Sequence, residues 1–428
     1  MPRIACVTLG CKVNQYDTEA MLELLEKDGY TSVDFSEDAD VYLINTCTVT
    51  GTGDRKSLKL IRRIGREHPD AAIIVAGCLA QRTPNALKLP GVRLLIGVTR
   101  RGEVCRLLKR ALEENTVIDA TEPLKNAAFE RLTVFRHEGK TRATLKIQEG
   151  CNRFCTYCVI PFVRGPIRSM PIEDVVNEAE RLAASGYKEL VLTGIHLASY
   201  GLESGANKTL SDAVSAVNAV DGIKRIRLGS LEPKIVTEEF ALGLSKCQKL
   251  CPQFHLSLQS GSETVLKRMN RRYTTNEYLE ACAILRRFFP GCAITTDVIA
   301  GFPGETDEEF KQTCDFIRKA VFARIHVFPY SRRSGTAADK MPGQVSEEVK
   351  KQRAAQLLKI ADDLEAEYVK SCVGTKCEVL FETCENGIST GYTRTYVRVS
   401  ASARPGEIKT VLIEGASGTL ALGKIIEQ

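Results

Sequence analysis

The 428-residue sequence has no apolar run long enough to cross a membrane. Its opening, "MPRIACVTLGCKVN", has neither a positively charged leader nor a small-residue cleavage site. On this reading the protein is expected to be cytoplasmic, with no membrane partner. Net charge is also scarce: 59 Lys and Arg against 53 Asp and Glu leave +6, which allows a polyanionic partner without demanding one. With 43% hydrophobic and 26% charged residues the chain is globular, and it is long enough for two or three domains, each with its own core.

Cysteine is abundant. Sixteen of them in a cytosolic protein do not read as a disulfide framework, because that compartment keeps thiols reduced. Clustered cysteines therefore read as metal or redox ligands. The scattered ones (Cys6, Cys105, Cys282, Cys292, Cys314, Cys372, Cys377 and Cys384) read as packing.

Three rhythms follow one another along the chain. Residues 3–115 alternate β-branched runs ("IACVTLG", "VYLINTC", "AAIIVAGC") with helical patterns, and Asp28-Gly29 marks a helix stop. This βαβ alternation predicts an open parallel sheet. The stretch "ENTVIDATEPLKNAAFERLTV" loses periodicity and reads as a linker. From 141 to 370, strands are expected at "ATLKIQE", "KELVLTG", "IKRIRLGS", "QFHLSLQS", "AITTDVIAG" and "RIHVFPYS", six βα units that suggest a partial (β/α)6 barrel. The last fifty-odd residues are short alternating strands with Gly, Ser and Asn between them, the pattern of a small antiparallel β-barrel, which serves in nucleic-acid binding and also as a plain interaction module. The fold class is thus α/β with a terminal β-barrel, with expected domains at 1–125, 137–368 and 371–428.

In "EGCNRFCTYC" the spacing Cys151-x3-Cys155-x2-Cys158 directly follows a predicted strand, at the mouth where barrel enzymes place their chemistry. Three thiolates can hold three irons of a four-iron cluster and leave the fourth open. A structural zinc needs a fourth ligand, which neither His137 nor a nearby cysteine supplies. Cys11, Cys47 and Cys78 each end a predicted strand of the first sheet, so they gather at the C-terminal edge where open α/β sheets bind ligands. Three core cysteines is the competing reading; against it, Gly10, Asn45 and Gly77 flank them and suit turns better than strand interiors.

With Tyr157 just before the third cysteine, the 151–158 spacing resembles the radical S-adenosylmethionine superfamily. "LGCKVNQYDTE", "NTCTVT" and "AGCLAQ" resemble the amino-terminal domain of the methylthiotransferases, and the last segment is similar to a TRAM domain, an OB-like barrel. The resemblance implies two [4Fe-4S] clusters, one on Cys151, Cys155 and Cys158 and an auxiliary one on Cys11, Cys47 and Cys78, with S-adenosyl-L-methionine as cofactor. It implies replacement of an unactivated C–H bond by C–S–CH3, a step that side-chain acid–base or nucleophilic catalysis cannot start and a carbon radical can.

By the same resemblance Tyr157 approaches the adenine of the cofactor, and Thr193 and Gly194 stand where the superfamily has its amine-binding loop. That loop usually carries a carboxylate, whereas here His196 is nearby. Ser230, Glu232, Gln259, Ser260, Asp297, Ile299, Gly301, Phe328 and Tyr330 fall at expected C-terminal strand ends, where cofactor contact and a loop-structural role are both open. "GFPGET" lacks the Gly-Lys-Ser/Thr ending of a phosphate loop and reads as the turn before a helix starting at Thr306.

"GCKVNQYDTE" and "FPYSRRSGTAA" look like the branch that acts on threonylcarbamoyl-adenosine at position 37 of tRNA. Other branches act on isopentenyl-adenosine or on an aspartate of a ribosomal protein. The implied partners are a tRNA anticodon stem-loop and an electron donor such as flavodoxin or ferredoxin. Basic clusters at Arg55–Arg66, Arg100–Arg110 and Lys267–Arg272 fit a phosphate backbone, and equally fit solvated helix faces. The terminal barrel offers Tyr392, Tyr396 and Phe381 either for base stacking or as core.

Overall fold

The computed structural model describes residues 1–135, 137, 141–203 and 208–426, so residues 427 and 428 of the expected last domain lie outside the described residues. The first layer is a parallel sheet of β1 (Arg3–Thr8), β2 (Thr31–Val33), β3 (Val41–Thr46), β4 (Ala72–Gly77), β5 (Val92–Ile96) and β6 (Ile118–Asp119), in the order β2-β1-β3-β4-β5-β6. Strands β3 and β4 are buried along their whole length, as expected of a parallel sheet covered on both faces. Helix α1 (Lys12–Lys27) buries Val13, Tyr16, Ala20, Met21 and Leu25, and ends at Lys27, where Asp28-Gly29 predicts a stop. Helices α2 (Gly51–Glu67), α3 (Cys78–Arg82) and α4 (Val104–Glu113) complete the layer.

The second unit contains the six expected parallel strands: β7 (Arg142–Glu149), β9 (Glu189–Gly194), β10 (Arg225–Leu228), β11 (Gln253–His255), β12 (Ala293–Ala300) and β13 (Arg324–Pro329). A two-residue strand, β8 (Arg168–Ser169), adds an antiparallel edge outside β7 that the sequence pattern does not reveal. Isolated bridges Ile226–Leu250 and Leu231–Leu256 join the β10 and β11 segments, so the strands curve from β7 to β13 as a partial barrel. Thr306 caps the helix Asp307–Ala320 through a capping box with Glu309, as the "GFPGET" reading expects. The helix Glu347–Ser371 packs along β13.

The third unit is a closed barrel of β14 (Lys376–Glu385), β15 (Ile388–Thr393), β16 (Arg398–Ala401), β17 (Ile408–Ser417) and β18 (Leu420–Ile425). Its pairings are antiparallel except β16 with β18, which is parallel. It docks under the partial barrel. Arg227 donates to the carbonyls of Thr393 and Arg394 at 2.8 and 2.9 Å, and Arg142 pairs with Glu382 at 2.6 Å. Tyr392 and Tyr396 stack at 4.7 Å within cation–π range of Arg142, and Tyr396 also lies beneath Arg227. Phe381 lies in the barrel core. These three aromatics are therefore structural rather than free base-stacking surfaces.

The presumed linker is a packed strap. Leu124, Leu132 and Val134 are buried, and Glu130 pairs with Arg101 at 2.8 Å. It runs beside a buried ionic junction between the first two units. Glu149, the last residue of β7, accepts from Arg101, Lys146, Arg164 and Arg168, each at 3.1 Å. Asp17 of α1 meets Lys146 at 2.6 Å, Arg164 at 3.2 Å and also Arg101. Burial alone would raise both carboxyls. The surrounding cations outweigh it, and both are held below their ordinary range, Glu149 well below.

Because these pKa values are depressed on folding, the stabilisation is complete above the unfolded carboxyl values of about 4 and is lost as pH falls below them. Arg101→Met removes the counter-charge of three carboxylates and is expected to cost about 3–5 kcal/mol in urea denaturation at neutral pH. The difference between wild type and variant should shrink as the pH is lowered below about 4.

Candidate active site

The first sheet brings Cys11, Cys47 and Cys78 to the ends of the adjacent strands β1, β3 and β4. Cys11 is the N-cap of α1, Cys47 follows β3 and Cys78 opens α3. The charges of Cys11 and Cys47 both act on Cys78. Asn14 organises the edge: its side-chain N–H groups donate to the Asn45 side chain at 3.0 Å and the Thr46 carbonyl at 2.9 Å. Its oxygen accepts from Arg164 at 2.8 Å and lies 3.4 Å from the Cys11 sulfur. Gly77 turns the chain into Cys78 at φ +90°, and a Cβ there would lie 2.2 Å from Asn45 Oδ1, so the turn requires glycine.

The second triad sits in the loop after β7. Gly150, at φ +74°, has its would-be Cβ 1.8 Å from the Pro166 carbonyl oxygen, which holds this loop against the segment before β8. Cys151 is buried, Cys155 accepts from Arg271 at 3.3 Å, and the charges of Cys151 and Cys155 act on Cys158. A five-residue helix, α5 (Ile160–Arg164), links the triads: it starts just after Cys158, and its last residue donates to the Cys78 sulfur at 3.3 Å.

Burial pushes the Cys78 thiol up to about 11 and the Cys158 thiol up to about 12, and it also raises Cys47 and Cys151. Such thiols become ligands when an iron replaces the proton. The donor sets fit clusters better than single ions. Four sulfurs around one zinc at 2.3 Å would lie about 3.8 Å apart. Among the described residues only His255, Asp297 and His326 bring three metal-capable groups within 4.8 Å of one another.

The remaining expected residues divide. Tyr157 packs edge-on to Phe302 at 6.4 Å, in a cluster with Ile299 and Tyr330. Thr193 is buried and Gly194 pairs with Gln148. Glu232 brings a carboxylate to Arg153 of the cysteine loop at 2.5 Å and to His196, two residues after Gly194, at 3.4 Å. Burial would raise the Glu232 carboxyl, but His196, Arg153 and Arg271 hold it low. Arg153 Nε, His196 Nε2 and Glu232 Oε2 are buried without a well-aligned hydrogen bond, a polar set suited to a ligand with an amine or hydroxyls. Asp297 pairs with His255 at 3.1 Å on the inner wall, and Phe328 is half exposed.

Other expected residues are exposed or make structural contacts. Gln259, at φ +70°, breaks the alternation, so Ser260 turns its hydroxyl to Thr313 of the Asp307–Ala320 helix. Ser260 therefore serves packing instead of the mouth. Ser230 is exposed, and Gly301 donates its N–H to Glu305 in the turn before that helix. Among residues the sequence reading did not single out, Arg164, Gln148, Arg153 and the pair Phe154–Phe162 stand out. These two rings are 50% and 63% exposed and meet edge-on at 5.7 Å beside the cysteine loop. The Cys-x3-Cys-x2-Cys loop itself was the available signal for Phe154.

The basic clusters are also sorted by the fold. In Arg100–Arg110 the cations are paired, with Arg101 inside the junction. Arg268 pairs with Glu309, and Arg271 turns inward to Cys155. Helix α2 keeps Arg55, Lys56, Lys59, Arg62, Arg63 and Arg66 exposed, and of these only Arg63 has a carboxylate partner among the described residues, Glu67 at 3.6 Å.

The chain matches the Radical SAM superfamily over residues 145–317 and the Uncharacterized protein family UPF0004 over residues 3–97. It is 43% identical over 407 residues to the Threonylcarbamoyladenosine tRNA methylthiotransferase MtaB of Bacillus subtilis (strain 168), covering 93% of this chain and 90% of that protein. It is 35% identical over 430 residues to a tRNA-2-methylthio-N(6)-dimethylallyladenosine synthase of Pelotomaculum thermopropionicum, covering 97% and 96%. Among solved structures, the radical S-adenosylmethionine methyltransferase TsrM of Kitasatospora setae aligns with a TM-score of 0.56 at 13% identity, over 91% of this chain and 77% of that one, a likeness of fold. No helix among the described residues is long and apolar enough to cross a membrane. With this identity running through both cysteine-bearing units, the chain belongs to the radical S-adenosylmethionine methylthiotransferases, transferases that use S-adenosylmethionine and [4Fe-4S] clusters.

Proposed function

We propose that this enzyme inserts a methylthio group at C2 of N6-threonylcarbamoyladenosine at position 37 of tRNA, in the cytoplasm, with electrons from a flavodoxin- or ferredoxin-like donor. The observation that carries the substrate is the 43% identity, across nine-tenths of both chains, to a relative named for threonylcarbamoyladenosine tRNA. Relatives named for dimethylallyladenosine are 34–36% identical, and that modified base is the second reading.

In this proposal the segments 1–125, 137–368 and 371–428 are the auxiliary-cluster, radical and TRAM domains. Cys11, Cys47 and Cys78 hold the auxiliary cluster, and Cys151, Cys155 and Cys158 hold the other. When bound, the clusters and S-adenosylmethionine supply the one-electron chemistry and the methylated sulfur. The protein's own residues supply position. Arg164 holds the Cys78 sulfur and ties it to Glu149, two residues before Cys151. Glu232, Arg153 and His196 present polar atoms to the cofactor's methionyl and ribosyl groups, and Tyr157 backs its adenine. The first domain closes the mouth and excludes water: Arg333 from the loop after β13 pairs with Asp54 at 2.5 Å, while α1 lies against β7 and β9. The exposed face of α2 meets RNA phosphates, and Phe154 with Phe162 stack on an unpaired base near position 37.

Mass spectrometry of tRNA nucleosides from a deletion strain tests the substrate. Loss of the methylthio-threonylcarbamoyl product is expected; loss of the methylthio-dimethylallyl product instead moves the enzyme to the second reading. Anaerobic reconstitution is expected to give about eight irons per chain, and about four after Cys11→Ala, Cys47→Ala and Cys78→Ala are combined. Unchanged iron in that variant would remove the auxiliary site. Replacing Lys59, Arg62 and Arg66 by Ala should weaken tRNA binding and lower the slope of log affinity against log salt by about 2–3, as read from titrations at several salt concentrations.

A further inference from the structure

Strand alternation separates two faces of β11, β12 and β13. Phe254, Leu256, Ile294, Val298 and Ile325 pack in the core shared with the covering helices. The residues between them, His255, Asp297 and His326, therefore face the inside of the partial barrel. Register brings the three together. Asp297 stands directly opposite His326, and His255 stands opposite Thr295, two residues before Asp297 on the same face. One atom from each, two imidazole nitrogens and a carboxylate oxygen, lies within 4.8 Å of the other two.

A simple histidine–aspartate pair does not account for this set. His255 Nε2 lies 3.1 Å from Asp297 Oδ2, yet Nε2 is buried and the two do not align as a hydrogen bond. A nitrogen and an oxygen this close that do not point at each other are placed to point at a third centre. The Asp297 carboxylate has no other partner among the described residues. The His326 ring has no hydrogen bond there either, and it stands 5.9 Å from the His255 ring at a 30° tilt. The second His255 nitrogen, Nδ1, is held 3.0 Å from the Thr295 hydroxyl, which also accepts from the Gln253 amide at 3.1 Å. When Nδ1–H donates to Thr295, the Nε2 lone pair is left on the side of Asp297, which is the tautomer a metal ligand needs.

We propose that His255, Asp297 and His326 form a binding site for one divalent transition-metal ion, separate from the two cysteine triads. Two imidazoles and one carboxylate suit zinc or ferrous iron, whereas calcium and magnesium take oxygen ligands. Around a zinc ion with bonds of about 2.0–2.2 Å such atoms stand about 3.4 Å apart. Closing the set from 4.8 Å needs about 1 Å of movement, which a His326 ring free of hydrogen bonds can supply. Three protein ligands leave a fourth position toward the inside of the partial barrel, open to water or to an oxygen of a bound substrate. The site does not depend on which modified adenine the enzyme takes.

The test uses the full-length protein with its clusters reconstituted, so that the triad cysteines are already engaged when metal is added. Wild type and variants are washed with a mild chelator and equilibrated anaerobically with zinc at buffered free concentrations, and zinc and iron are counted by elemental analysis. The wild type is expected to take up about one zinc per chain with its iron content unchanged. His326→Ala and Asp297→Asn should weaken zinc binding about a hundredfold or more, and Thr295→Val, which removes only the group that orients His255, about tenfold. His326 is exposed, so its replacement is expected to leave the thermal midpoint and the iron count of the wild type. X-ray absorption at the zinc edge should show nitrogen and oxygen ligands at about 2.0–2.2 Å and no sulfur at about 2.3 Å.

A wild type that takes up no zinc overturns the proposal. So does zinc bound equally by His326→Ala and Asp297→Asn, which places the ion elsewhere. A sulfur shell around the zinc, or iron lost in proportion to zinc gained, assigns the metal to cysteines and also overturns it.

Discussion

One buried carboxylate, Glu149, carries the arrangement of this molecule. It ends β7, leads through Gly150 into Cys151, and accepts from four cations supplied by α1's neighbour Arg101, by β7, by α5 and by β8. Burying such charges costs several kcal/mol per ion, and the cost is offset only when all the partners are in place. A displaced first domain would leave Lys146, Arg164 and Glu149 buried and underpaired. The junction therefore sets how the two cysteine edges face each other. Its side chains are four cations (Arg101, Lys146, Arg164, Arg168) against three carboxylates (Asp17, Glu130, Glu149), and Arg164 also touches the Cys78 sulfur.

The domain contacts follow from that junction: α1 lies against β7 and β9, and the terminal barrel docks on the partial barrel through Arg142, Arg225 and Arg227. From residue 370 onward seven Lys and Arg stand against six Asp and Glu, a near balance that agrees with docking through main-chain carbonyls and the Tyr392–Tyr396 stack. Surface capacity for a polyanion lies instead on α2, whose cations find few carboxylates, and the exposed aromatic pair lies beside the cysteine loop.

The two cysteine triads were legible because each obeys a local rule: three share one short loop, and three end predicted strands of a single parallel sheet. The partial barrel was legible for the same reason, since its strands alternate regularly with helices. Ser260 was misplaced because a single positive φ at Gln259 reverses which face the next side chain takes. Glu232 was legible as a strand-end candidate, but not its place beside Thr193-Gly194, because it comes after the next strand and only barrel curvature brings it to Arg153 and His196. Charge runs were ambiguous in sequence because pairing depends on neighbours across elements, as Arg101 shows.

Spacing and periodicity by themselves determined the open parallel sheet, the six βα units, the terminal barrel and two sets of three cysteines, because these features are set by residues close in the chain or by strand ends that one sheet must align. Only the tertiary structure decided which cations are spent in pairs, and which aromatics pack between the units and which are exposed. Those outcomes depend on desolvation and on partners brought together from distant segments, and both arise only when the domains are docked.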